Sequence, residues 1–173
     1  MLIRREQADD VGAVREVVRA AFARPEVAGQ LPVEAALLDE LRADEGWLPA
    51  LSLVAVEPVD EQVIGHVVCT RGSVGGSAVL GLGPLAVRPD RQGRGEGQAL
   101  MHAVLGAADA LGEPLVALLG EPGYYRRFGF RPAAQYGITA PDRQWGDYFQ
   151  VRTLSAYRPT PGTFTYAAPF TRL

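Results

Sequence analysis

The sequence has no lysine: all 17 of its Lys-plus-Arg positions are arginine. A Walker-type phosphate loop needs a Gly-Lys-Ser/Thr step, so that chemistry is excluded. The bias toward arginine, alanine, glycine and proline reads as GC-rich coding, not as function. There is one cysteine, Cys69. It excludes an internal disulfide and a multi-cysteine zinc site, and no metal is expected. Cys69 itself reads as a small buried hydrophobe on a strand. No apolar run approaches the ~18 residues of a membrane span. No signal-like apolar core follows Met1, so a cytoplasmic location is expected. Positive charge is in deficit, with a net charge of -3. Non-specific nucleic-acid binding needs clustered cations, so nucleic acid is not an expected partner.

What remains is an ordinary globular composition over 173 residues, 47% hydrophobic and 21% charged. A chain of this length buries roughly 70% of its unfolded surface without a staple. With no repeat and no linker, residues 1–173 read as one α/β domain.

The pattern along the chain supports that class. Residues 2–5 read as a first strand. Asp9 or Asp10 caps a helix whose Val11, Val14, Val17, Val18, Ala21 and Phe22 share one face. Residues 24–30 read as a loop. Pro32 opens a second helix lined by Leu37, Leu38 and Leu41. Residues 51–56 and 62–70 read as an antiparallel hairpin, residues 72–76 as a loop, and residues 79–87 as a third strand of the run. Gly81, Gly83 and Pro84 interrupt that strand and predict a bulge or bend. A glycine-rich turn then leads to a helix through Leu100, Met101, Val104, Leu105, Ala108 and Leu111, stopped by Gly112. Residues 115–119 are a buried strand, and Pro122 opens a short helix ending near Gly129. Residues 148–154 and 163–167 read as strands. Half of the aromatic residues lie from Trp145 onward, so the tail is packed.

The turn Gln92-Gly93-Arg94-Gly95-Glu96-Gly97 lies between a strand and a helix. Glycines allow positive φ and close backbone approach. The first helix amides lack internal partners and the helix dipole adds positive potential, so a phosphate suits this place. Arg88, Arg91 and Arg94 add cationic character. A dinucleotide-binding fingerprint needs Gly-x-Gly-x-x-Gly after a first strand. The Gly93-x-Gly95-x-Gly97 spacing in mid-chain does not fit it.

These residues resemble the GNAT superfamily of acyl-CoA-dependent N-acyltransferases. Its Gln/Arg-x-x-Gly-x-Gly/Ala signature is matched by Gln92 through Gly97. Residues 82–89 resemble the family's central strand and its Val-x-Pro exit. About thirty residues on, Tyr124-Tyr125-Arg126-Arg127-Phe128-Gly129-Phe130 resembles the second landmark. The similarity reaches to about Pro132 and points toward a bacterial branch of acetyltransferases. It implies a mixed central sheet of about six to seven strands flanked by helices and splayed between the fourth and fifth strands. It also implies acetyl-CoA as co-substrate, an amine acceptor on a small molecule or protein, and direct transfer. A homodimer is left open. The alternative is a non-catalytic acyl-CoA-binding or regulatory domain of the same fold. One departure is Glu96, where the family usually has an aliphatic residue; its side chain is expected to face solvent and leave its amide available.

The resemblance assigns cofactor binding to Gln92, Gly93, Arg94, Gly95, Glu96 and Gly97, and pantetheine contacts to the backbone of Leu85, Ala86 and Val87. Tyr125 takes the role of leaving-group acid beside the cofactor, and Tyr124 is structural or lines the substrate. The amine must lose a proton, which for an alkyl amine costs about 4–5 kcal/mol at pH 7. Glu121 is the first choice of base, ahead of Glu57 and His66; His102 reads as structural. An acyl-cysteine route through Cys69 is not favoured. The acceptor site is expected between the first two helices and the tail around Trp145, Tyr148 and Tyr166. Acids such as Glu34 or Glu40 would attract a cationic amine.

Overall fold

The computed structural model describes residues 1–25 and 31–173, so most of the loop read at 24–30 lies outside the described residues. Strand β1 (Leu2–Arg5) leads through a 3-10 turn (Ala8–Asp10) into α1 (Val11–Ala21), and α2 (Val33–Ala43) follows. Asp10 acts one turn earlier than a simple cap: its carboxylate accepts from the Gln7 amide at 2.7 Å. Then come β2 (Ser52–Val56), β3 (Val63–Val74) and β4 (Ser77–Val87). Helix α3 (Glu96–Ala110), β5 (Leu115–Leu119) and α4 (Pro122–Tyr125) follow, the last extended by a 3-10 turn (Arg126–Phe128). Four further strands close the chain: β6 (Arg131–Pro132), β7 (Ile138–Thr139), β8 (Phe149–Thr153) and β9 (Gly162–Thr165). No described helix is long and apolar enough to cross a membrane.

The strands form a mixed sheet in the order β1-β2-β3-β4-β5-β8-β6, with β9 beside β3 and β7 beside β9. Seven strands have four or more residues; β6 and β7, of two residues each, are too short to show a period in sequence. Alternation sorts the side chains to the two faces. Leu53 and Ala55 pack under Leu100, Met101 and Val104 of α3. Val54 and Val56 pack under Val14, Val17 and Val18 of α1. Each fully buried aliphatic side chain contributes ~1.5–3 kcal/mol, so the sheet is held from both sides.

The segment at 72–76 differs from the sequence reading. The strand runs on through Gly72 and Ser73, and only Gly75 and Gly76 turn, with φ of 54° and 84°. Paired positive φ suits a two-residue hairpin. Gly72 serves packing: a Cβ there would lie 2.9 Å from the Phe164 ring. The expected bulge in β4 is present. Val67 pairs Leu85 and Cys69 pairs Leu82, so Gly83 and Pro84 together oppose Val68.

A polar cluster ties α2 to the first three strands. Arg42 donates to Glu6 at 2.6 and 2.9 Å, Ser52 donates to the other Glu6 oxygen, and His66 Nε2 lies 3.1 Å from that same oxygen. His66 is fully buried and its Nδ1 has no partner. A neutral ring with the proton on Nε2 fits this, because a proton on Nδ1 would be a buried, unpaired donor. Burial pushes the His66 pKa down, against the pull of Glu6. Burial alone would raise Glu6, but hydrogen bonds from His66 and Ser52, with the charge of Arg42, hold it at about 2.

Both shifts make the fold acid-sensitive. His66 is held neutral, so its contribution is present above the unfolded value near 6.5 and falls away below it. The Glu6 contribution is present above its unfolded value near 4.3 and fades as pH falls toward its folded value. Urea unfolding should show stability declining from pH 7 to 4. Glu6→Gln should cost about 3 kcal/mol at pH 7. Unchanged stability in that variant would remove the cluster from the account of the fold.

Candidate functional site

Strands β4 and β5 pair only at Leu80–Val116 and Gly81–Ala117. Beyond that, the bulge redirects β4, while Leu118 and Leu119 pair with Gln150 and Phe149 of β8. The strands part, as expected between the fourth and fifth. Residues 82–87 keep β3 on one side, through Leu85–Val67, Ala86–His66 and Val87–Gly65, and have no ladder partner on the other. An unpaired strand edge can accept an extended, amide-bearing chain.

At the end of β4 stands the glycine turn. Gln92 donates its side-chain amide to the Val87 carbonyl at 3.0 Å, folding the turn back onto the strand. Gly93 and Gly95 have φ of 75° and 96°, and Gly95 is the N-cap of α3. The bond from Ala99 N to Gly95 O opens the helix ladder. The amides of Glu96, Gly97 and Gln98 therefore have no intrahelical acceptor. A Cβ at Gly93 or Gly95 would meet nothing within 4 Å, so the space above both is open.

Glu96 corrects the sequence reading. Its side chain is not in solvent: it is 6% exposed and lies 3.4 Å from Arg91 Nε. Arg91 is also bonded to Glu57, which brings the guanidinium under the turn. One carboxylate oxygen of Glu96 has no partner. The cationic character of the turn is also less than the sequence suggests. Arg88 is forked onto Asp90 at 2.8 and 3.0 Å and Arg91 is shared by two acids. Arg94 is exposed and has no ion-pair partner among the described residues.

The tyrosine pair separates two jobs. Tyr124 lies over α3, where a Cβ on Gly97 would come 3.3 Å from its hydroxyl, and Arg127 sits 4.7 Å above its ring. Tyr125 is edge-on to Tyr124 at 4.9 Å and turns the other way. Its ring crosses Gly120, where a Cβ would lie 2.3 Å from it; only glycine fits there. Burial, with a smaller effect of Tyr124, raises the Tyr125 phenol to about 12, so it holds its proton at neutral pH.

Tyr125 faces a cavity of about 500 Å³ at the open end of the gap. Trp145 and Tyr166 line it, as the sequence suggested; Phe22, Leu37 and Phe170 complete much of its wall. Phe22 and Phe170 carried no local signal, because they arrive from opposite ends of the chain. Tyr166 lies across Gly81, where a Cβ would be 2.8 Å away. Tyr148 is 52% exposed and does not line the cavity. Glu34 lines it, whereas Glu40 is paired with Arg172 at 2.8 Å. Glu121 is exposed, accepts from Gly123 N at 3.4 Å as the cap of α4, and is not a lining residue. Glu57 and His66 are engaged in the clusters described above. His102 packs edge-on against Phe128 at 5.2 Å. Burial pushes the Cys69 thiol up, which suits an inert core residue.

Comparison with known proteins gives the same family as the residues. The Acetyltransferase (GNAT) domain matches residues 2–133. The Escherichia coli K12 N-acetyltransferase YhbS is 32% identical over 176 residues, covering 99% of each chain. The crystal structure of E. coli YhbS in complex with CoA superposes with a TM-score of 0.86 at 31% identity, covering 99% of this chain and 92% of that one. A Brucella melitensis GNAT acetyltransferase in complex with acetyl-CoA gives a TM-score of 0.77 at 36% identity, covering 98% and 97%. With the glycine turn, the parted strands and the tyrosine helix in one chain, this protein belongs to the GNAT family of N-acetyltransferases.

Proposed function

We propose that residues 1–173 act as one domain, in the cytoplasm, to move an acetyl group from acetyl-CoA directly to an amine. The observation that carries this is the gap between β4 and β5, with an anion-receptive turn at one end and the Tyr125 cavity at the other. The residues fit the cofactor. The open space over Gly93 and Gly95, with the free amides of Glu96 and Gly97, suits a pyrophosphate. The buried Glu96 carboxylate is held by Arg91 and leaves its amide to the ligand. Gln92 braces the turn, and Arg94 supplies its uncommitted charge. The backbone of residues 85–87 would hold the pantetheine arm along the unpaired edge.

In the transfer, the neutral amine attacks the thioester carbonyl carbon. The new N–C bond forms, the C–S bond breaks, and the sulfur leaves with the electron pair. Tyr125 is the group we assign to give that sulfur a proton, since its phenol stays protonated at neutral pH. The amine proton leaves to water, and water returns a proton to the Tyr125 phenolate. Glu121 is exposed at the start of α4, so it serves as base only through water. Attack from a bound amine needs no acyl-cysteine, and Cys69 is sealed in the core.

CoA should raise the melting temperature, with about 2.7 kcal/mol of added stability at 100 times its Kd. Gly95→Val should fold with a loss of ~1–3 kcal/mol from its positive φ and fail to bind CoA. No thermal shift at millimolar CoA, with no heat in calorimetry, would contradict the cofactor assignment. Tyr125→Phe should lower kcat about a hundredfold with CoA affinity unchanged, because only a transition-state interaction is lost. The loss should shrink for a more acidic leaving thiol. Steady-state thiol release decides this; near wild-type kcat would return Tyr125 to the aromatic core.

A further inference from the structure

Among the described residues that line the cavity facing Tyr125, Glu34 is the one with an acidic side chain, and none is arginine or histidine. The other acids of α2 are committed: Asp39 to Arg15 and Arg42, and Glu40 to Arg172. Glu34 has no ion-pair or hydrogen-bond partner among the described residues. Its surroundings are aromatic and aliphatic. Tyr166 and Phe170 stand 4.6 Å apart and Trp145 packs 6.5 Å from Tyr166, forming one continuous aromatic wall.

That wall is built and fixed, not an accident of loose packing. Gly81 admits the Tyr166 ring against β4. Ala167 and Phe170 pack on Leu37 and Leu41, and the Arg172–Glu40 pair fastens the last turn to α2. The volume, about 500 Å³, is that of a site for one small molecule.

Resting on the reading that this cavity receives the acceptor, we propose that the acceptor is a small monocationic amine with an apolar, aromatic body. Glu34 meets the ammonium form and the Trp145–Tyr166–Phe170 wall takes the body. A cavity of this size is about 10 Å across, so charge anywhere in it stays within a Debye length of Glu34. The rings add cation–π attraction for the head and apolar contact for the body. A polyamine would bring a second charge with no further acidic side chain among the described lining residues to meet it. An aminosugar would bring hydroxyls with few partners along an apolar wall. Glu34 is a binding residue here; the ammonium sheds its proton to water before attack.

The test titrates amines into the full chain saturated with CoA by calorimetry and follows thiol release from acetyl-CoA. The probes are 2-phenylethylamine, tryptamine, spermidine, glucosamine and a lysine-containing peptide. The two arylalkylamines should bind, and should exceed the other three at least tenfold in kcat/KM. Glu34→Gln should raise their Kd and KM by about tenfold to a hundredfold, the loss of one charge-assisted contact, with kcat and CoA affinity unchanged. Binding of neutral 2-phenylethanol should be the same in both proteins. A preference for spermidine, glucosamine or the peptide, or equal amine affinity after Glu34→Gln, would overturn the proposal. If CoA does not bind, the acetyl-CoA reading fails, and titration of the CoA-free chain still decides the amine class. If CoA binds and the arylalkylamines do not, the acceptor class alone is wrong.

Discussion

Beyond Gly81 the fourth strand loses its neighbour on the β5 side, and the site follows from that separation. A parallel pair of full length would have used the backbone groups of residues 82–87 in a ladder. Two residues facing one, Gly83 and Pro84 against Val68, redirect β4 while its β3 side stays paired. Strand β5 is meanwhile held by five pairs to β8 and cannot follow. The gap is therefore kept open from both edges. The same strand then runs into the glycine turn, so the unpaired edge and the free helix amides belong to one continuous piece of backbone.

The rest of the architecture supports that gap by letting rings lie directly on backbone. Gly72 accepts Phe164, Gly81 accepts Tyr166, and Gly120 accepts Tyr125, each with no room for a Cβ. These glycines are needed for close approach, not for turning. They bring the tail and the α4 helix up to the splayed strands and build the cavity from remote segments. On the far side, the Arg42–Glu6–Ser52–His66 cluster fastens α2 to the first three strands. Helix α2 is the same element that carries Glu34 and receives the last turn, so the wall of the cavity depends on a buried ion pair well away from it.

Much of this was legible in the sequence, and the exceptions have definite causes. Helices α1 and α3 are marked by valine and leucine spacing and by Gly112. The bulge is marked by Gly81, Gly83 and Pro84, and the anion-receptive turn by Gly93, Gly95 and Gly97. Each of these signals is local. Gly72 was misread as part of a loop because the ring it accommodates, Phe164, is remote in sequence. The inward turn of Glu96 depends on Arg91, which is itself fixed by Glu57 from β2's end. The neutralised Arg88 could not be told from a free cation without its contact to Asp90. Phe22 and Phe170 meet at one cavity only because two helices and the tail converge there. The cavity draws on the first two helices and the tail, the elements named from sequence, while Tyr148 is exposed and does not line it.

The central claim is that the β4–β5 gap is a receptacle for an extended acyl carrier, and a crystal structure of the protein soaked with acetyl-CoA tests it most directly. The account predicts the pantetheine arm lying in the gap, its amides hydrogen-bonded to the backbone of residues 85–87. It also predicts the pyrophosphate over Gly93–Gly97 and the thioester sulfur within hydrogen-bond reach of the Tyr125 hydroxyl. Acetyl-CoA bound elsewhere on the surface, or β4 and β5 zipped together beyond Gly81 with the cofactor excluded, would contradict it.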